Sequence, residues 1–279
     1  MPELPEVETI RRDRDKEIVG RKVKSVEVFG ARSVRRHPDP AELVARVQGR
    51  KVTGVRRTGK YLVLDLDSAD VLVVHLGMSG QLLHVRSAKE PLPRHCHVVV
   101  TFVTGGQLRF VDPRTFGELF VAGGGSLAEE VPELAHLGFD PILDVMSWAA
   151  FGQLLAGRHT ALKVLLTDQR FVAGIGNIYA DEILFAAGLR YDRPADSLSP
   201  QEVRRLYRSM VETLSDAVKH RGSSLADEQY RDLYGEVGDF QGQHQVYERA
   251  GQACRRCRHT ISRAKVNGRS TFFCERCQV

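Results

Sequence analysis

No stretch of this chain approaches the ~20 consecutive apolar residues of a membrane-spanning helix, which excludes a helical membrane protein. The N-terminus has neither a basic leader nor an apolar core segment, so no secretory signal is expected. Internal repeats and low-complexity tracts are missing as well, which excludes solenoids and fibrous arrays. Cysteine is scarce: five in 279 residues, four of them beyond residue 250. A disulfide framework spread over the chain is thereby excluded, and the cytoplasm is the expected compartment. What remains is an ordinary globular composition, 42% hydrophobic and 27% charged, long enough for two domains with separate cores.

Charge is unevenly placed. The chain carries a net +5, yet residues 247–279 alone hold eight Lys/Arg against two acids. The basic excess sits in a C-terminal module, the usual electrostatic footprint for phosphate. That module also holds Cys254-x2-Cys257 and Cys274-x2-Cys277, sixteen residues apart. The spacing is that of tetrahedral zinc, and four thiolates leave no open position for a reactive water. One structural Zn2+ would therefore hold a hairpin too small to fold around a core of its own. Cys96 is left over and reads as a buried thiol.

Residues 1–20 read as a helix, with Val7, Ile10 and Ile18 on one face and Gly20 as its stop. Short strand patterns follow at 23–29, 51–56, 61–67, 71–76, 81–85, 97–103, 107–111 and 118–121, with turn signals between them. They predict a β-sandwich or barrel. From Ser147 the pattern turns helical. Ser199-Pro200-Gln201-Glu202 is a capping box with proline at the first helical position, followed by an apolar stripe from Val203 to Val218. The expected class is a multidomain α+β protein: a β-sandwich domain over 1–130, a linker over 131–146, a helical domain over 147–243 and a zinc module over 244–279.

The first residues carry chemistry. Met1 precedes a small residue, so its removal is expected, which leaves Pro2 with a free secondary amine. An α-amino group titrates near ~8, so a useful fraction is unprotonated at neutral pH. A secondary amine cannot form a neutral imine with a masked aldehyde; it forms a cationic iminium, an electron sink. Glu3 beside it and Glu6 one turn on are placed as a general acid or base would be. The same residues also suit a stiff entry into a helix, with Pro5 in the first turn and acids at the positive dipole end.

The string Met1-Pro2-Glu3-Leu4-Pro5-Glu6-Val7-Glu8-Thr9 resembles the start of the formamidopyrimidine-DNA glycosylases, bacterial enzymes that remove oxidised purines. Further strings fall in that family's order: Gly59-Lys60-Tyr61-Leu62, His75-Leu76-Gly77-Met78-Ser79-Gly80, Asp112-Pro113-Arg114-Thr115-Phe116-Gly117, Gly174-Ile175-Gly176-Asn177-Ile178-Tyr179-Ala180-Asp181-Glu182, and Gly268-Arg269-Ser270-Thr271-Phe272-Phe273-Cys274. The resemblance implies an N-terminal β-sandwich with an N-terminal helix, a helix-two-turn-helix domain and a C-terminal zinc-bound β-hairpin. It implies a bifunctional glycosylase and abasic-site lyase of base-excision repair that takes 8-oxoguanine and formamidopyrimidines from duplex DNA.

The roles it implies fall on named residues. Pro2 is the nucleophile, Glu3 its acid/base partner, and Glu6 positions the helix. Lys60 lies near the phosphate beside the damaged nucleotide, and Arg269 grips the flanking phosphates and assists elimination. Met78, Arg114 and Phe116 fill the gap left by the flipped nucleotide. Asn177, His95, Arg158, Lys163 and Tyr247 contact phosphates. The partner is double-stranded DNA with an oxidised purine or an abasic site, no membrane is involved, and a monomer is expected in the bacterial cytoplasm at the nucleoid. A guanidinium has only donors, and an orphaned cytosine offers two adjacent acceptors, so Arg114 should favour damage opposite cytosine over adenine.

Two departures stand out. Thr115 occupies a place where family members often carry a second arginine. Residues 222–241 correspond to the loop that covers the flipped base, but are acidic, with Gly235-Glu236-Val237-Gly238 for the commoner glycine-lysine-proline-glycine. Two other readings stay open. An endonuclease VIII type preferring oxidised pyrimidines is opposed by the Met78 and Arg114 strings. A DNA-binding protein without catalysis is opposed by Pro2, Glu3, Lys60 and Arg269.

Overall fold

Alternating apolar residues in the first half of the chain become two four-stranded antiparallel sheets. The strands are β1 (Val23–Val28), β2 (Val52–Thr58), β3 (Tyr61–Leu66), β4 (Asp70–His75), β5 (Gln81–Val85), β6 (Cys96–Phe102), β7 (Gln107–Val111) and β8 (Glu118–Gly123). One sheet has the order β1-β6-β7-β5, the other β2-β3-β4-β8. Helix α1 (Leu4–Glu17) precedes them, and α2 (Pro40–Val47), capped by the Asp39 carboxylate on the Ala41 N–H, follows β1. Val26, Leu64, Val74, Val100 and Phe110 from both sheets share one core with Val7 and Ile10 of α1 and with Ile18, its C-cap. The β3-β4 sheet is apolar on its outer face too, where Val63, Val73 and Phe120 pack with Leu127 and Val131. Leu127 starts α3 (Leu127–Glu130), and α4 (Pro132–Ala135) follows. Burial on both faces explains why β3 and β4 read as near-continuous apolar runs and not as clean alternation.

The computed structural model describes residues 1–226 and 229–279. They divide into two compact units, Met1–Ala135 with His220–Gln241, and His136–Lys219 with Gly242–Val279. Residues 220–241, expected within the helical domain, thus pack with the sandwich. Tyr230 and Leu233 enter its core, and Arg221 bridges Asp13 of α1 and Asp232, each at 2.5 Å. Residues 227 and 228 of the expected base-covering loop lie outside the described residues.

The second unit contains α5 (Trp148–Leu155), α6 (Leu162–Thr167), α7 (Asn177–Ala187), α8 (Pro200–Lys219) and the hairpin of β9 (Ser262–Val266) and β10 (Arg269–Phe273). The Ser199 box forms, with the Ser199 N–H on Glu202 at 2.9 Å and the Glu202 N–H on the serine hydroxyl at 3.3 Å. Val203, Leu206, Met210, Leu214 and Val218 of α8 are buried. Helix α7 ends at Gly188 in the left-handed region, φ +67, which favours glycine. Phe185 of α7 packs with Val246, Ile261 and Phe272, so the zinc hairpin is built onto that helix. Among the described residues no helix is long and apolar enough to cross a membrane.

Candidate active site and nucleic-acid interface

Pro2 is buried, whereas Met1 ahead of it is exposed. Glu3 is the N-cap of α1: its carboxylate accepts the Glu6 N–H, and its own N–H donates to Glu6 Oε2 at 2.7 Å. This reciprocal box satisfies donors that a helix end leaves open. Glu6 Oε1 accepts the Ser223 N–H at 2.7 Å, so one buried carboxylate joins the helix start to the 220–241 segment. A Cβ on Gly222, at φ +81, would sit 2.7 Å from that same oxygen, so the approach requires glycine. Two residues on, Glu8 is buried against Arg57 at 3.0 Å, with Arg11 and Arg12 at 2.8 and 2.9 Å. Burial acts to raise the Glu8 carboxyl, but the three guanidinium groups outweigh it and bring it down to about 2. Arg57 then donates to the Gly59 carbonyl at 3.0 Å. A line of bonds therefore runs from the helix behind Pro2 to the turn that carries half-buried Lys60.

Met78, Arg114 and Phe116 are exposed on two loops of the first unit. Asp112 holds both loops. Its fully buried carboxylate accepts the Ser79 hydroxyl at 2.5 Å, the Gly117 N–H at 2.7 Å and the Arg114 N–H at 3.2 Å. The loops touch at Gly77, φ +61, where a Cβ would lie 2.5 Å from the Gly117 nitrogen. Arg114 sits over the Phe116 ring, 5.5 Å from its centroid. His95 is exposed, and its carbonyl accepts the Asp112 N–H at 3.0 Å, which places it at the base of the same loop.

In the second unit, Asp181 and Glu182 lie side by side on α7, both buried. Asp181 accepts Lys163 Nζ at 2.7 Å, the Thr271 hydroxyl, and the Phe272 N–H at 3.0 Å. Glu182 accepts three successive N–H groups, of Gln245, Val246 and Tyr247, at 2.8, 3.0 and 2.8 Å. Burial pushes both carboxyls above their ordinary range. A cavity of about 540 Å3 opens beside them, lined by Asn177, Tyr247, Arg263, Arg269, Ser270 and Phe272 among others. Arg269 is exposed at the start of β10, after the Asn267-Gly268 turn, whose residues have φ +48 and +76. Arg158 is exposed over the Phe171 ring at 5.3 Å.

The four cysteine sulfurs lie within 4.8 Å of one another, with Cys254–Cys277 at 3.9 Å and Cys257–Cys274 at 3.4 Å. Zinc–sulfur bonds of about 2.3 Å in a tetrahedron require edges of about 3.8 Å, so the set fits one zinc ion. Cys254, Cys257, Cys274 and Cys277 hold a single structural zinc, and Cys96 is half-buried elsewhere.

One expected phosphate contact is buried, and another also serves the hairpin. Lys163 is buried, and its ammonium goes to Asp181 and to the Asn177 carbonyl at 2.8 Å, so it braces the start of α7. The Asn177 amide nitrogen donates one N–H to the Ser270 carbonyl at 2.9 Å, and the side chain lines the cavity that Arg269 also lines. The carboxylates that hold everything else, Glu8, Asp112, Asp181 and Glu182, escape sequence reading. Each sits inside or beside a quoted string, and that proximity was the only available signal.

Comparison with known proteins places these strings in one family. Residues 1–119 match the formamidopyrimidine-DNA glycosylase N-terminal domain, residues 137–229 the H2TH domain of the same enzymes, and residues 251–279 the zinc finger found in FPG and IleRS. A formamidopyrimidine-DNA glycosylase from Geobacillus kaustophilus is 44% identical, with all of both chains covered. The crystal structure of the MutM (Fpg) protein from Thermus thermophilus is similar at TM-score 0.87 and 41% identity, over 99% of this chain and 98% of that one. A Lactococcus lactis Fpg mutant in complex with Fapy-dG-containing DNA is similar at TM-score 0.89 and 33% identity, over 99% of each chain.

Proposed function

Because the chain belongs to the formamidopyrimidine-DNA glycosylase family, we propose that Pro2 is its nucleophile and that it removes oxidised purines from duplex DNA. The protein is a DNA glycosylase of base-excision repair. The observation that carries the Pro2 assignment is the locked N-terminus. Glu3 and Glu6 cap each other, Glu6 also grips Ser223, and Pro2 is buried directly ahead of them. A nucleophile at a chain terminus is useful only if the terminus is held, because effective molarity depends on orientation.

In the proposed reaction the Pro2 nitrogen, freed by loss of Met1, attacks C1′ of the flipped nucleotide. The bond from C1′ to the base breaks, and the base leaves with the bonding pair and a proton. Opening of the sugar ring leaves a cationic iminium between Pro2 and C1′. That group withdraws electrons, so the C2′ proton is lost and the 3′ phosphate departs; a second elimination expels the 5′ phosphate. Glu3 moves protons at the sugar. Lys60 and Arg269 neutralise phosphates on either side, and Met78, Arg114 and Phe116 occupy the emptied place in the stack. Asn177, Arg158, His95 and Tyr247 add phosphate contacts. Zinc holds the hairpin and takes no part in the chemistry. The working form is proposed as a monomer in the bacterial cytoplasm, at the nucleoid.

Borohydride trapping on a duplex with one 8-oxoguanine opposite cytosine tests this reading. Reduction of the iminium should leave a stable crosslink that peptide mapping assigns to Pro2, and Pro2→Gly should lose it while DNA binding persists. No crosslink from a protein with a confirmed free Pro2 terminus and intact binding would overturn the assignment.

A further inference from the structure

We propose that Arg35, helped by Arg32, is a positioning residue for the loop that carries Arg114 and Phe116, and that it thereby sets discrimination against the base opposite the lesion. The inference rests on the reading of Arg114 and Phe116 as the groups that enter the stack.

The loop is held from two sides. Its N–H groups face the Asp112 carboxylate, as described above. Its carbonyls face the 3-10 turn Ala31–Val34 and the residue after it. Arg32 Nε donates to the Thr115 carbonyl at 3.3 Å. Arg35 Nη2 donates to the Phe116 carbonyl at 3.3 Å, and its Nη1 to the Gly117 carbonyl at 2.9 Å. Three consecutive carbonyls thus receive guanidinium donors from one short segment. Arg35 is itself fixed, by Glu118 Oε2 at 3.0 Å and by the Arg32 carbonyl at 3.2 Å. A planar guanidinium can serve two carbonyls and a carboxylate at once; an ammonium presents no such fork.

The loop needs this support because of its central residue. Thr115 has φ +55, a left-handed backbone that a β-branched side chain adopts only under outside constraint. Loss of the Arg35 fork leaves Asp112 and the single long Arg32 bond against the tendency of Thr115 to relax. Relaxation at Thr115 rotates the chain between Arg114 and Phe116, and both side chains lose their aim. Arg35 touches neither DNA nor a reacting atom in this account; it acts through the backbone of the loop.

The test is single-turnover excision of 8-oxoguanine opposite cytosine and opposite adenine, for the wild type, Arg35→Met, Arg35→Lys and Arg114→Ala. Misplacement of a positioned group by about 1 Å costs on the order of 100-fold in rate, so a partial loosening should lower the cytosine-over-adenine ratio of Arg35→Met by about tenfold. Arg35→Lys should fall between Arg35→Met and wild type, at an unfolding temperature close to wild type. A merely structural role would slow both substrates equally and leave the ratio alone. A ratio within about twofold of wild type in Arg35→Met, while Arg114→Ala does lower it, would overturn the Arg35 proposal and spare the wedge reading. An unchanged ratio in Arg114→Ala would overturn the wedge reading and the proposal with it.

Discussion

The loop at residues 112–117 and the zinc hairpin at residues 262–273 are held by the same device in different company. In each, a buried carboxylate accepts backbone N–H from the functional segment: Asp112 from Arg114 and Gly117 in the first unit, Asp181 from Phe272 in the second, where Glu182 holds residues 245–247. Such bonds are strong at low dielectric and strictly directional, so they fix a loop that has no core of its own. The difference lies in the remaining support. The first loop is completed by arginine side chains on its carbonyls, all from within the chain. The hairpin is completed by a metal ion, because its few apolar side chains, Ile261, Phe272 and Phe273, cannot stabilise it alone.

Metal removal should therefore separate the two regions, and it carries the largest expected effect. Structural zinc contributes about 10–16 kcal/mol in small finger domains, so chelation or Cys257→Ser should unfold residues 244–279. DNA binding should fall by more than about 100-fold, the loss expected when several phosphate contacts go together. Limited proteolysis should cut the hairpin and leave residues 1–135 intact. Protection of the hairpin without zinc would break the comparison.

The next effect probes the carboxylates themselves. Asp181→Leu leaves Lys163 buried without its partner, which should cost about 3–5 kcal/mol in the second unit. The double variant with Lys163→Met should recover only part of that, since the Thr271 hydroxyl and the Phe272 N–H still lose their acceptor. Urea denaturation followed by tryptophan fluorescence reads this unit alone, because the single tryptophan is Trp148. Equal destabilisation in the single and double variants would show that the pair is not the unit of stability.

A pH effect distinguishes the regions further. Burial pushes His75 of the first unit down to about 4, with the nearby Glu118 opposing and Lys60 adding to the shift. In the unfolded chain this imidazole titrates near 6.5, so the unfolded state binds more protons between pH 6.5 and 4. Stability is therefore lost as pH falls through that window. Glu8, at about 2, begins to add to the loss only below about 4.5. His75→Gln should flatten the decline of the sandwich by up to about 1.4 kcal/mol per pH unit. The tryptophan-detected transition of the second unit should keep its own slope, set in part by His244, which burial likewise lowers to about 4. A slope for the sandwich that ignores the substitution would remove His75 from the account.

Much of this molecule was legible because its signals are local. Strand 81–85 and strand 107–111 lie where alternation put them, the Ser199 box caps α8, and the cysteine spacing closes on one zinc. Helix α2 was not read: its apolar face is only Leu43 and Val47, too short for a periodic signal. The docking of residues 220–241 on the sandwich was also invisible, since the Arg221 pairing with Asp13 spans some two hundred residues. Lys163 looks like a phosphate ligand when only the sequence is read. Only packing reveals that its ammonium is buried on Asp181 and the Asn177 carbonyl.

A last effect concerns a buried cation of the first unit that lacks the carboxylate its counterpart in the second unit has. Lys163 is a buried cation with a carboxylate. Arg14 is a fully buried cation whose three guanidinium nitrogens have no hydrogen-bond partner among the described residues. Burial lowers it to about 9. Its position follows from periodicity: residues 7, 10, 14 and 18 share one face of a helix, so an arginine at 14 enters the core with Val7, Ile10 and Ile18. A methionine there keeps the length and removes the buried charge. Arg14→Met should therefore raise stability by about 1–4 kcal/mol near neutral pH. The unfolded arginine keeps its proton to higher pH than the folded one, so the wild type regains stability as pH rises above about 9, and the advantage of the variant shrinks there. Calorimetry of the sandwich transition checks both statements. A lower unfolding temperature for Arg14→Met would mean that the guanidinium has a partner in solution, and that the two units handle buried cations alike.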